Sequence, residues 1–597
     1  MDKSSLLKII FSKDEQNESD AIRGNNFYSR QFSGSITKQL KRILSTRVFK
    51  FGRAFSYLLS HISTRVYGSA LLSFGLVGLM MYLLRMSADL SLLTPVIAIA
   101  FSLFSIPFLL ADKPLPIFLQ DFEPTDYLFF EFFCMKRHTM LENSSSFPIF
   151  GSVSIGFALA ALSFFVPLWQ IALVIGIIIF TYIGFESPEF VFLLTIFALP
   201  LLKYIPNRQI WLSAAVILCL VSFLVKVLYG KRVIYIEQYD IFLGIMLLFV
   251  LISGIFVKGV ESFSDSIIMI ILSFGYVLAG NIITNHRLAD RTVNSIVMSG
   301  TIASIISIVQ FVVIVVQTGN NINLENLSLI LAREPGVAVF LVASIVFACG
   351  MIKQASMPAR IVYIFALVLS LSALIISGEF FALAAVILGI VVHFIIKSNK
   401  HPTVFLPVLL ILFLLVLLLP NSALNMVFNY SPSIVSAEEL FGLWHDSLVV
   451  FADSIFVGIG IGSDSFATEM ASIGVFGYND SSNLFIELGL EAGVFALLFF
   501  FCLIFTRLKH RSIQYLYVRN SQIEILSNAS GVCLFCLLAF GMVNYIWSDP
   551  SAYCFFWCVF GIGSATLRVA KKDYDDKVVY YEESSAFDSS VIDIEIG

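Results

Sequence analysis

Apolar runs of about twenty residues recur along most of the chain, the length a helix needs to cross the hydrocarbon core of a bilayer. In lipid every backbone N–H and C=O must be satisfied within the protein, which leaves helices or closed barrels as spanning structures. The runs fall near 66–84, 91–110, 149–166, 168–185, 188–202, 209–228, 240–257 and 266–284, then near 293–316, 336–352, 361–377, 380–396, 403–420, 484–506, 525–544 and 550–567. Several are short, and 149–202 admits another parsing. The expected fold is therefore an all-α polytopic membrane helix bundle of 14–16 transmembrane helices. Composition agrees: 58% of the residues are hydrophobic and 13% charged, with a mean hydropathy of +0.90. Soluble domains sit near half apolar and a quarter charged.

The longest polar interruption is 421–482, which carries Glu438, Glu439, Asp446, Asp453, Asp464, Glu469 and Asp480, one histidine, His445, and no Lys or Arg. Positive charge gathers in cytoplasmic connections. With the N-terminus inside, the cytoplasmic connections hold Lys113, Lys136, Arg137, Lys231, Arg232, Arg287, Arg291, Lys353, Arg360, Lys397, Lys400, Arg507, Lys509, Arg511 and Arg519. The outer ones hold only Arg85, Lys203, Arg208, Lys258 and Arg333. This asymmetry predicts a multi-pass membrane protein with both termini cytoplasmic and 421–482 as one large extracytoplasmic loop. The organisation expected is a cytoplasmic polar segment and basic amphipathic helix (1–65), extra N-terminal spans with a cytoplasmic loop (66–148) and a membrane helix bundle (149–420). The extracytoplasmic loop (421–482), three C-terminal spans (483–568) and a cytoplasmic tail (569–597) complete it.

Within 36–66, Ile36, Leu40, Leu44, Val48, Phe51, Phe55, Leu58 and Ile62 repeat at three or four residues, and the charges are all basic. Such a helix suits an anionic inner leaflet; a polar stalk ahead of the first span explains it equally well. The eight Cys lie almost all in apolar runs and imply no disulfide framework. Cys533 and Cys536 with Cys554 and Cys558 could be drawn as a metal site, but small apolar thiols are ordinary in membrane helices, so neither metal nor cofactor is expected. Glu186, Glu261, Asp265 and Glu379 fall near span ends, and few ionisable residues fall deep inside the spans. Ion-coupled transporters usually place such residues at midplane.

Several segments resemble, in order, the O-antigen ligase and O-antigen polymerase family of bacterial envelope enzymes. They are Gly275-Tyr276 through Asn285-His286-Arg287, Arg333-Glu334-Pro335-Gly336, the turn Ser377-Gly378-Glu379, and Trp444-His445-Asp446-Ser447. The glycine alternation Gly458, Gly460, Gly462 follows, then Ser482-Asn483-Leu484 through Glu487, Glu491 and Gly493. The likeness covers roughly 150–570. It implies the bacterial cell membrane and outer-face transfer of glycans from a polyprenyl-diphosphate carrier in surface polysaccharide biosynthesis, by a metal-independent inverting glycosyltransferase. The glycines alone give a tight turn whose N–H groups can approach phosphate, or a plain hinge.

Transfer of this kind needs a general base for the acceptor hydroxyl and cations for the departing diphosphate. Here Ser482 stands where the family has His, and Glu379 where it has Arg. Candidate catalytic residues are then Glu379, His445, Ser482 and Asp480. Candidate substrate contacts are Arg333, Arg208, Trp444, Gly458, Gly460, Gly462 and Asn483, the last equally a helix N-cap. The expected partners are polyprenyl-diphosphate-linked glycan, membrane lipids and envelope export proteins, without nucleic acid. Two other readings stay open: a non-catalytic relative binding lipid-linked glycan in an export assembly, and a transporter or lipid flippase whose loop is a gate.

Overall fold

The structure is a computed structural model that describes residues 62–84, 93–135, 149–162, 168–228, 232–237, 240–256, 260–318, 331, 335–352, 354–399, 437–517 and 521–570. The amphipathic segment 36–61, Arg333, the expected span at 403–420 and the tail after 570 lie outside them. Helix makes up 86% of the structure, and no strand forms among the described residues. Among the described residues, seven helices are long and apolar enough to cross a membrane, and six more apolar helices are 10–17 residues long. The all-α, multi-pass reading of the sequence is thus borne out.

The chain divides into two compact units, 1–191 with 221–234, and 192–220 with 235–597. In the first, α1 (Thr64–Leu84) packs against α2 (Leu93–Leu110) and, beyond the short α3 (Leu115–Asp121), against α4 (Ile149–Ala161). Small residues let these backbones close up, as in membrane helix pairs generally. A Cβ at Gly68 would lie 2.8 Å from the Leu109 backbone nitrogen. Phe74, Ala98, Ala160 and, from α5 (Leu168–Glu186), Ile171 form the apolar core. At the start of α6 (Pro188–Ala198), buried Glu189 holds Lys226 at 3.1 Å and Arg232 at 2.5 Å. One interior carboxylate thereby pins two chain segments in this unit.

The second unit includes part of α7 (Arg208–Leu228), then α8 (Asp240–Phe256), α9 (Val260–Ile282), α10 (His286–Thr318), α11 (Pro335–Met351), α12 (Met357–Ser377) and α13 (Phe380–Asn399). After these come α14 (Ala437–Asp453), α15 (Ser463–Ser472), α16 (Leu484–Tyr517), α17 (Ser521–Gly541) and α18 (Pro550–Ala570). α11 and α18 are apolar on all sides and buried nearly all round, which marks them as central helices. α10 and α12 flank α11, and α17 packs on both α11 and α13. Buried Ser304, Ser370 and Ser344 link α10, α12 and α11 through hydroxyl bonds of 3.3 and 3.2 Å, polar glue where lipid supplies no hydrophobic drive. Val309, Val312, Phe365 and Val368 project outward, as lipid-facing side chains do.

Of the acidic 421–482 stretch, the described part is mostly helical. α14 and α15 enclose the glycine turn, and both pack back on the bundle, α14 against α16 and α15 against α9.

Candidate active site

Gly493 sets the geometry. Its φ of 82° and ψ of 171° interrupt α16, a backbone region open essentially only to glycine. The chain reverses there. Phe485 and Phe501 stack with centroids 5.5 Å apart, whereas sixteen residues of straight helix would separate them by about 24 Å. Gly489 and Leu497, each four residues from the break, also meet: a Cβ at Gly489 would lie 3.6 Å from Leu497 Cδ2. α16 is therefore a helical hairpin, with a short arm 484–492 folded back on the longer arm that continues to Tyr517.

The glycine turn locks into this reversal. Gly458, at φ 83°, approaches so closely that a Cβ would lie 2.3 Å from the Glu491 carbonyl oxygen. Ile459 N–H donates to Leu490 O at 2.8 Å, and Val494 N–H donates to Ile455 O at 2.8 Å. Ile461 N–H donates to Ser262 Oγ at 2.8 Å, and Gly462 N–H to Glu491 Oε1 at 3.0 Å. The backbone donors that might have cradled a phosphate at Gly458 and Gly462 are already used, Gly458 N–H by Ser454 O. The turn acts as a latch.

Glu491 is the centre of that latch. Its other oxygen accepts the Tyr545 hydroxyl at 2.8 Å, and its carbonyl accepts Ser253 Oγ from α8. One helical turn earlier, Glu487 Oε2 accepts Ser481 N–H at 2.7 Å. Both carboxylates are buried, 1% and 2% exposed. The sequence reading put Glu186, Glu261, Asp265 and Glu379 near span ends and found few ionisable residues deep inside the spans; this pair lies inside an apolar run. Neither residue was singled out for the site, nor was Tyr545, although two acids four apart in such a run are a recognised functional signal.

The short arm begins at Asn483, the expected N-cap. Its Oδ1 accepts the N–H groups of Phe485 at 2.9 Å and Ile486 at 3.2 Å. Its Nδ2 donates to Met542 O at 2.8 Å, tying the cap to the end of α17. Just before it, Ser482 adopts φ 51°, unusual for a residue with a Cβ. Asp480 Oδ1 holds that turn, accepting Ser482 N–H at 2.8 Å and Oγ at 3.4 Å. Asp480 is half-buried. Burial pushes its carboxyl above the usual aspartate range, and the two Ser482 donors only partly offset this.

The other candidates divide. Trp444 is buried against Leu440, Met542 and Val543, with Phe381, Phe485 and Ile486 packed on the same cluster. Glu379 is buried at the turn that leads into Phe381, so Glu379, Trp444 and Asn483 share one end of the bundle. His445 stands apart, its side chain 78% exposed beside Asp446. Arg208 is held by buried Asp549 at 3.0 Å, and Asp549 also caps α18 through Ser551 N–H at 2.7 Å. Gly460 has φ 99° within the latch. Among the described residues no cluster of His, Cys, Asp and Glu has the geometry of a metal site.

Chemically, the assembly offers a half-buried carboxylate at Asp480, held by Ser482, with the buried acids Glu487 and Glu491 in electrostatic reach. Compared with known proteins, the chain matches no family model, and no curated sequence matches it.

Proposed function

We propose that the chain transfers or polymerises glycans on the outer face of a bacterial cell membrane, taking them from a polyprenyl-diphosphate carrier. In this reading Asp480 takes the proton of an acceptor hydroxyl. The hydroxyl oxygen attacks the anomeric carbon from the face opposite the carrier, and the bond to the diphosphate breaks with inversion. The observation that carries the reading is Asp480: a half-buried carboxylate whose burial lifts its proton affinity above the usual aspartate range, the direction that favours a general base. Ser482, in the place the related enzymes give to His, orients it through two hydrogen bonds. Glu487 and Glu491 hold the hairpin that presents both.

The cation for the diphosphate is assigned to Arg333. It lies three residues before Gly336, and Gly336 sits against Asp549, the partner of Arg208. The 14–16 spans, the cytoplasmic termini, the outward placement of 421–482 and association with envelope export proteins belong to the same proposal. They rest on the charge asymmetry of the connections. The test is incubation of the purified protein with polyprenyl-diphosphate oligosaccharide: transfer or chain growth supports the reading, and no product at high protein load sinks it.

One observation favours a second reading. A helix broken at Gly493 beside two buried carboxylates also suits a transporter or flippase. Proteoliposomes separate the two: carrier moved across the bilayer without glycan transfer selects the second.

A further inference from the structure

Arg507 lies on the long arm of α16, about 21 Å along the helix from Gly493, and therefore toward the opposite end of the bundle. It is 7% exposed, and its Nη1 is buried without a hydrogen-bond partner among the described residues. The acid in electrostatic reach is Asp240, but both Asp240 oxygens are engaged. Oδ1 accepts the Tyr276 hydroxyl, and Oδ2 accepts Glu237 N–H at 2.8 Å. No ion pair joins Asp240 and Arg507 among the described residues. An interior guanidinium left in this state is an uncompensated buried charge, which a bound anion would neutralise.

The neighbouring helix packs closely on the guanidinium at Gly563. A Cβ at Gly563 would lie 2.3 Å from Arg507 Nη2 and 3.2 Å from Ser530 Oγ; the glycine is what makes room for the fork. A planar fork with free N–H groups is matched by the oxygens of a phosphate, to which it binds bidentately. In sequence, Lys509 and Arg511 follow Arg507, and Arg568, Lys571 and Lys572 follow Gly563, ahead of Asp573, Asp575 and Asp576. Arg568 is itself occupied, by Ile283 O at 2.8 Å and the Tyr235 ring at 4.2 Å.

We propose that Arg507, over Gly563, is a binding site for a phosphate group at the end of the bundle away from the glycan site. A phospholipid headgroup and free phosphate share the required chemistry. Basic pockets between membrane helices take lipid headgroups in this manner.

The experiment measures thermal midpoints of delipidated full-length protein with phosphatidylglycerol, with phosphatidylcholine and with inorganic phosphate. Phosphatidylglycerol and phosphatidylcholine, which both carry a phosphodiester, are each expected to raise the midpoint by several degrees, and Arg507→Gln to lose those shifts. The same shift with inorganic phosphate alone, lost in Arg507→Gln, keeps the site and assigns it a soluble source. Equal shifts in wild type and Arg507→Gln, or none in wild type, overturn the proposal. If Arg507→Gln fails to fold, Gly563→Ala serves: it keeps the charge but fills the space beside Nη2. Loss of the phosphatidylglycerol shift in that variant supports the site, and a full shift overturns it.

Discussion

Asp480 and Glu491 sit eleven residues apart, yet their surroundings fit them for different work. Glu491 has both oxygens engaged, by Gly462 N–H and by the Tyr545 hydroxyl. Removing a buried acceptor strands two donors at roughly 1–3 kcal/mol each. Glu491→Ala should therefore destabilise by about 3 kcal/mol or more and Glu491→Gln by distinctly less, compared in thermal scans of purified protein. Asp480 keeps an oxygen available and titrates above the usual aspartate range. A base must be ionised to work, so transfer should rise with pH through that elevated value and level off above it. Asp480→Asn should lower transfer by about 100-fold or more and erase the acid limb of the kcat/KM profile. An unchanged limb in that variant would remove Asp480 from the reaction. At this scale Asn483 was legible from sequence, because a capping residue before an apolar run has one simple local role. Arg208 was not, because its partner Asp549 lies 341 positions away.

The hairpin in α16 decides where these residues meet. The run 484–506 reads as one continuous span, and glycines such as Gly489 and Gly493 are common in membrane helices. The reversal appears only once Gly493 is seen against the glycine turn, where a Cβ would lie 2.4 Å from Phe456 O. Glycine spacing in the two segments was visible in the sequence; that each is small because of the other was not. Gly493→Ala combines a forbidden conformation with a backbone clash. It should cost about 3 kcal/mol or more, read as a drop in the apparent thermal midpoint with loss of transfer. Cysteines replacing Phe485 and Phe501 should join through a short thiol cross-linker under oxidation-free conditions. A straight helix would hold them about 24 Å apart and give no intramolecular product.

For the whole molecule, hydropathy was the reliable guide. Bilayer length and backbone satisfaction admit few architectures, so the helical, multi-pass character was plain from the apolar runs. The acidic interruption was read correctly as a departure from that pattern but as a loop. Its described part folds as helices because α14 and α15 carry apolar faces, with Leu443, Val450, Phe466 and Met470 packed in one cluster with Leu490 of the hairpin. The glycan-transfer account needs this assembly on the outer side and needs Asp480 to do the chemistry. The direct measurement is transfer from polyprenyl-diphosphate oligosaccharide supplied to right-side-out and inverted membrane vesicles, each carrying wild type or Asp480→Asn. The account predicts product in right-side-out vesicles with wild type alone; product confined to inverted vesicles, or formed equally by Asp480→Asn, contradicts it.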